Sequence, residues 1–124
     1  MPARKPEEVD ILFAEALNSG NLDALVALYE PQASLSPQPG QVVTGTQAIR
    51  DALSNLLASK PKMTLKPKTL AVSGEIALAT AQWELTGTGP DGKPVQVGGR
   101  SVEVLRRQPD GTWLFVIDWP WGLE

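Results

Sequence analysis

Apolar residues recur at a helical period through the first half of this chain and at a strand period through the second. Val9, Leu12, Phe13, Ala16 and Leu17 stand at i, i+3, i+4, i+7 and i+8, the stripe of one amphipathic helix. Pro6 suits its first turn, and Glu7 and Glu8 favour the positive end of its dipole. Asn18-Ser19-Gly20 ends it, and Asn21 caps a second helix carrying Leu22, Leu25, Val26, Leu28 and Tyr29, which Pro31 stops. Residues 32–36 read as a short strand, and Pro37-Gln38-Pro39-Gly40 as a loop. A third helix opens at Gly45-Thr46, with Thr46 as N-cap. It carries Ile49, Ala52, Leu53, Leu56 and Leu57, and closes at Lys60-Pro61.

From Met63 the period becomes two. Met63 and Leu65 alternate with polar residues, then Leu70 and Val72 alternate out of step, a slip that a bulge or edge position at Pro67 absorbs. Ser73-Gly74 is a tight turn. Long strands follow over 75–87 and 95–107, joined through Gly89-Pro90-Asp91-Gly92. Pro109-Asp110-Gly111 turns the chain into a last strand over 112–119. Three helices followed by strands on short turns predict one α+β domain over residues 1–124, with the helices on one face of a curved antiparallel meander.

The last strand, Trp113 to Trp119, is apolar on both sides. Strict alternation puts Trp113, Phe115, Ile117 and Trp119 on one face, and Leu114 and Val116 on the other. Val102, Val104 and Leu105 share that two-sided character. Helices cover one face only, so the outer face is either the contact surface of a homodimer or a scatter of surface apolar residues.

Composition narrows the chemistry. Of 124 residues none is cysteine and none is histidine, which rules out disulfides, thiolate chemistry and imidazole ligands or bases. No D-x-D-type calcium loop is present, and neither a metal nor a cofactor is expected. The net charge of −3 comes from mixed charges with no basic cluster, which argues against nucleic acid. No apolar run has the length of a membrane span, and residues 1–10 lack the apolar core of a signal peptide. The expectation is a cytoplasmic protein.

A curved sheet under helices leaves an opening at one end of the core, and such mouths hold ligands. Asp118-Trp119-Pro120-Trp121 lies there, its indoles either closing the core or lining a pocket wall. Glu103, Asp118 and Glu84 are carboxylates within apolar strand sequence. Each is either a buried acid or base with a raised pKa, or an outward charge partnered by Arg100, Arg106 or Arg107. Arg100 follows Gly98-Gly99 and either reaches the pocket or opens the regular strand.

The segments 13–29, Ala33-Ser34-Leu35-Ser36 and Gly45-Thr46-Gln47-Ala48-Ile49-Arg50 resemble the ketosteroid isomerase-like branch of the nuclear transport factor 2-like superfamily. The ending, 102–118, is similar to its SnoaL-like and SgcJ/EcaC-type members. The resemblance spans nearly the whole chain and implies a cystatin-like cone, three N-terminal helices packed on a curved antiparallel sheet. The superfold hosts isomerases, cyclases, hydrolases, dehydratases and binding modules. The oxyanion-hole Tyr of the steroid isomerases falls at Phe13, which has no hydroxyl, and their general-base Asp falls in Ser36-Pro37-Gln38, where no carboxylate stands. Their second oxyanion donor falls on or near Glu103, and their aromatic wall on Trp119 or Trp121.

The combined reading is a dimeric binder of a small hydrophobic or aromatic molecule, and not a steroid isomerase of that kind. Phe13, Leu17, Tyr29, Leu35, Trp83, Arg100, Trp119 and Trp121 are the candidate ligand contacts, and Glu103 and Asp118 the candidate catalytic carboxyls. Its rivals are an acid/base isomerase, cyclase or hydratase using Glu103 or Asp118, and a non-catalytic association module.

Overall fold

A computed structural model describes residues 2–122. The elements are α1 (Pro6–Asn18), α2 (Leu22–Val26), β1 (Tyr29–Leu35), β2 (Val43–Thr44), α3 (Thr46–Leu57), β3 (Lys62–Ser73), β4 (Ile76–Thr88), β5 (Pro94–Arg107) and β6 (Trp113–Trp119). One sheet has the order β2-β1-β6-β5-β4-β3, so the meander β3 to β6 carries β1 and β2 on its far side. This is the expected α+β, cystatin-like architecture. The helix α1 packs on β3 at one edge and on β6 three strands away, so the sheet wraps round it, while α3 covers β1 and β2. No helix among the described residues is long and apolar enough to cross a membrane.

The start of α1 is held by the Glu8 carboxylate, which accepts from the Arg4 and Lys5 amides at 2.7 and 3.1 Å. Asn21 caps α2, its side chain accepting from the Ala24 amide. The core joins Val9 and Leu17 of α1, Leu25, Ile49 and Leu53 of the other helices, and the inner faces of the strands. Phe115 sits at its centre, 1% exposed. Burying a side chain of that size contributes about 1.5–3 kcal/mol.

Five local expectations are corrected. The second helix ends at Val26, and Tyr29 begins β1 instead, because β6 supplies a parallel partner that pairs Tyr29 with Phe115. That pair makes the sheet mixed and not wholly antiparallel. Residues 43–44 add a short β2 against Ser34 and Leu35. Gly45, at φ 95°, is the N-cap of α3 in place of Thr46, whose hydroxyl instead points to the Pro31 carbonyl. The slip in β3 falls at Leu70, between Thr69 and Ala71, and not at Pro67, which stays in register opposite Ala81.

The fifth correction shapes the site. Val104 pairs with Ile117 and Leu105 with Phe115, so Val116 is an extra residue in β6. This bulge reverses the alternation. Trp113 and Phe115 point inward as expected, but Ile117 turns out to 43% exposure, Trp119 is half-buried, and Asp118 turns in to 6%.

Candidate functional site

Inward positions on α1, β5 and β6 bring three carboxyls together. On α1, Asp10 lies three residues before Phe13 and seven before Leu17, on the same helical face. On β5, Ser101, Glu103 and Leu105 alternate inward. The bulge at Val116 places Asp118 directly opposite Glu103 in the β5–β6 ladder. Asp10, Glu103 and Asp118 are 4%, 2% and 6% exposed.

They lie along a cavity of about 140 Å³. Its apolar wall includes Phe13 from α1, Leu53 and Leu56 from α3, Leu65 from β3, and Trp83 and Leu85 from β4. Pro37, Val97, Pro120 and Trp121 border it where half-buried and exposed residues meet. The two indoles are fixed by their N–H groups. Trp83 donates to the Pro120 carbonyl at 2.8 Å and Trp121 to the Ser36 carbonyl at 3.1 Å. Their rings meet edge to face, centroids 5.7 Å apart. Gly98 and Gly99, opposite Glu84 and Trp83, keep the β5 backbone close to Trp83. A Cβ at Gly98 would come 3.0 Å from the Trp83 carbonyl oxygen.

Burial sets the electrostatics. It raises Asp118 to about 7, against the pull of the Tyr29 hydroxyl, which donates to Asp118 Oδ2 at 2.6 Å; the Asp10 charge raises it further. Burial raises Asp10 to about 6, with a hydrogen bond from Glu103 acting the other way. Glu103 is raised furthest, to about 10, by burial and then by repulsion from Asp10 and Asp118. At neutral pH Glu103 is therefore protonated beside two carboxyls that titrate near or below neutrality. Asp10 Oδ2 and Glu103 Oε1 are buried, and neither has a hydrogen-bond donor from the rest of the described protein. Tyr29, buried against Phe115 with centroids 4.9 Å apart, is also raised, chiefly by burial.

Of the residues singled out in the sequence, Phe13, Leu35, Trp83, Glu103, Asp118 and Trp121 meet at the cavity. Four stand apart from its wall. Leu17 is core, 1% exposed. Tyr29 reaches the site only through Asp118. Arg100 is exposed, one position out of phase with the inward Ser101 and opposite Gln82. Trp119 follows the bulge outward, its indole N–H donating to the Gly122 carbonyl. Glu84 is exposed on the outer face. No arginine partners Glu103, which faces Ala79 and Asp118 across its two ladders. Asp10 is the site residue that sequence reasoning missed. A carboxylate at i−3 and i−7 to two apolar residues of a helical stripe was the signal.

At the positions matched to the steroid isomerases, the Phe13 ring meets that of Phe115 in a T-shaped pair, centroids 6.3 Å apart. Ser36 directs its hydroxyl to the Gln41 carbonyl at 2.6 Å, tying down the loop at the mouth.

Residues 11–116 match the SnoaL-like domain family. A Xanthomonas campestris structure named for a calcium/calmodulin-dependent protein kinase II association domain is 26% identical, with a TM-score of 0.76 over 90% of this chain and 83% of that one. A ketosteroid isomerase-like protein from Erwinia carotovora atroseptica is 20% identical, with a TM-score of 0.78 over 90% and 88%. A cystatin-like fold protein from Caulobacter vibrioides is 18% identical, with a TM-score of 0.77 over 90% and 82%. The last two likenesses show the fold alone. The chain belongs to the SnoaL-like domain family.

Proposed function

We propose that the cavity binds one small, mostly apolar, ring-sized molecule whose polar end meets the carboxyls. The observation that carries this reading is the pairing of an aromatic and aliphatic wall with the buried Asp10 Oδ2 and Glu103 Oε1, which among the described groups have no partner beyond one another. Buried polar atoms without partners are costly, and a ligand's polar group relieves that cost. The volume, about 140 Å³, is close to that of an apolar cavity that takes benzene. The test is a tryptophan fluorescence titration with benzyl alcohol, since Trp83 and Trp121 both border the space. A saturable shift is expected. It should vanish in Ala81→Leu, which fills the cavity from β4, while far-ultraviolet dichroism stays native. A linear, unsaturable response of the native protein counts against the reading.

The spread of the carboxyl titrations favours a second reading, proton transfer on a bound substrate. Glu103 would act as the acid, with Asp118 or Asp10 as the base. Binding comes first in either case, and turnover of a ring ketone by native protein but not Glu103→Gln separates them.

The reading includes a homodimer through the outer sheet face. Ala71, Leu78, Val104 and Ile117 stand in one register row across β3 to β6, beside a second row holding Val102 and Trp119. Leu78 and Ile117 are 39% and 43% exposed. A second copy of the same face, related by a two-fold axis, buries such rows.

A further inference from the structure

Every titratable group described on the cavity wall is acidic. Its titratable groups are Asp10 from α1, Glu103 from β5 and Asp118 from β6, with Tyr29 of β1 behind Asp118; α3, β3 and β4 add none. Among the described residues no lysine or arginine lines it, and the chain has no histidine. The rings of Phe13, Trp83, Phe115 and Trp121 border the same space, and aromatic faces also attract cations. An anionic ligand would meet repulsion from the α1, β5 and β6 walls. A neutral ligand would leave the crowding of acidic groups intact. A cation relieves it.

We propose that the ligand is a small ring compound carrying a protonated amine, its ammonium held between Asp10 and Glu103. This deepens the binding reading above and rests on it. Two observations carry it: a wall whose titratable groups are all acidic, and the buried oxygens Asp10 Oδ2 and Glu103 Oε1, which no third group of the described protein serves. An ammonium supplies three N–H donors to acceptors of that kind. A bare metal ion fits less well, since among the described residues no group of three carboxylates has an arrangement able to hold one.

In the empty cavity a proton on Glu103 plays the part of the cation. An incoming alkylammonium displaces it, so one proton leaves for each amine bound: the Glu103 O–H bond breaks, its electron pair stays on the carboxylate, and the proton passes to buffer. The affinity for amine therefore rises with pH until the amine itself loses its proton, by up to tenfold per pH unit.

The test compares benzylamine, benzyl alcohol and benzoate by calorimetry on the full chain at pH 6, 7 and 8. At pH 8 benzylamine should bind at least tenfold more tightly than benzyl alcohol. Benzoate should not bind. The advantage of the amine should shrink at pH 6. Heats measured in phosphate and Tris should differ by the buffer ionisation heat of about one proton. Glu103→Gln and Asp10→Asn should each weaken the amine more than the alcohol, with native folding checked by dichroism. Equal or tighter binding of the alcohol at every pH overturns the amine assignment and leaves the cavity as a ligand site. Binding of none of the three overturns both.

Discussion

Glu103 and Asp118 face one another across the β5–β6 ladder on the buried side of the sheet. Like charges at directly opposed positions destabilise a sheet, and burial multiplies the cost. The fold tolerates the pair by keeping Glu103 protonated and giving Asp118 a hydroxyl donor, Tyr29. That arrangement leaves the two carboxyls at the floor of the cavity in different protonation states near neutral pH.

Stability should therefore fall as the pH rises. Asp10 and Asp118 both start from 3.8 and are raised to about 6 and about 7 in the folded state, and Glu103 is raised from 4.5 to about 10. A raised carboxyl favours the fold below its unfolded value and loses that contribution as pH climbs through its folded value. Glu7 and Asp110 are lowered and act in the opposite sense, but only in more acidic solution. Between pH 5 and pH 8 the buried carboxyls dominate. A loss of about 1.4 kcal/mol or more is expected, roughly 4 °C in Tm. Thermal unfolding followed by dichroism at the two pH values checks this, and Glu103→Gln should flatten the difference. A Tm that climbs towards pH 8 would contradict it.

Tyr29→Phe isolates the hydroxyl. It removes the donor to Asp118 Oδ2 while keeping the ring against Phe115. The cost should be about 1–3 kcal/mol at pH 8, where Asp118 is ionised, and much less at pH 5, where it is protonated. The Asp118 titration itself should move upward, readable by carboxyl NMR. An equal cost at both pH values would mean that the hydroxyl serves packing and not charge.

Much of this was legible in the sequence because long periodic stretches leave little choice. The stripe Val9 to Leu17 became α1, and the strands over 75–87, 95–107 and 112–119 lie within a residue of their expected bounds. Glu103 could be seen because it interrupts an apolar strand. The rest was hidden by features that period alone does not carry. A bulge inserts one residue without a composition signal, and the one at Val116 exchanged Ile117 for Asp118 on the inner face. Tyr29 followed a helical stripe, yet a parallel partner in β6 drew it into a strand. Asp10 did not stand out within the first helix because its neighbours in the cavity, Glu103 and Asp118, are over ninety residues away in the chain.

Trp121→Ala tests the mouth. The indole closes one side of the cavity, touches Trp83 edge-on, and donates to the Ser36 carbonyl. The aromatic contact alone is worth about 0.5–1.5 kcal/mol. Because Trp121 is only half-buried, the variant should lose little stability, about 1–2 kcal/mol by denaturant unfolding, while the affinity for benzyl alcohol drops about tenfold. Unchanged affinity would place the ligand elsewhere.

Ile117→Lys tests the outer face. The side chain projects outward after the bulge, next to Val104 of β5, which in turn pairs with Leu78 of β4. In an isolated chain a lysine there is harmless, since the site is 43% exposed and its charged end reaches water. In a two-fold dimer the same lysine is brought near its symmetry mate and both ammonium groups lose water, a penalty of several kcal/mol per ion. The native chain should therefore sediment as a dimer at micromolar concentration, and the variant as a monomer with an unchanged dichroism spectrum. Because the cavity opens from the opposite side of the sheet, benzyl alcohol binding should persist in the monomer. A native chain that sediments as a monomer removes the dimer and leaves Leu78, Val104 and Ile117 as ordinary surface residues.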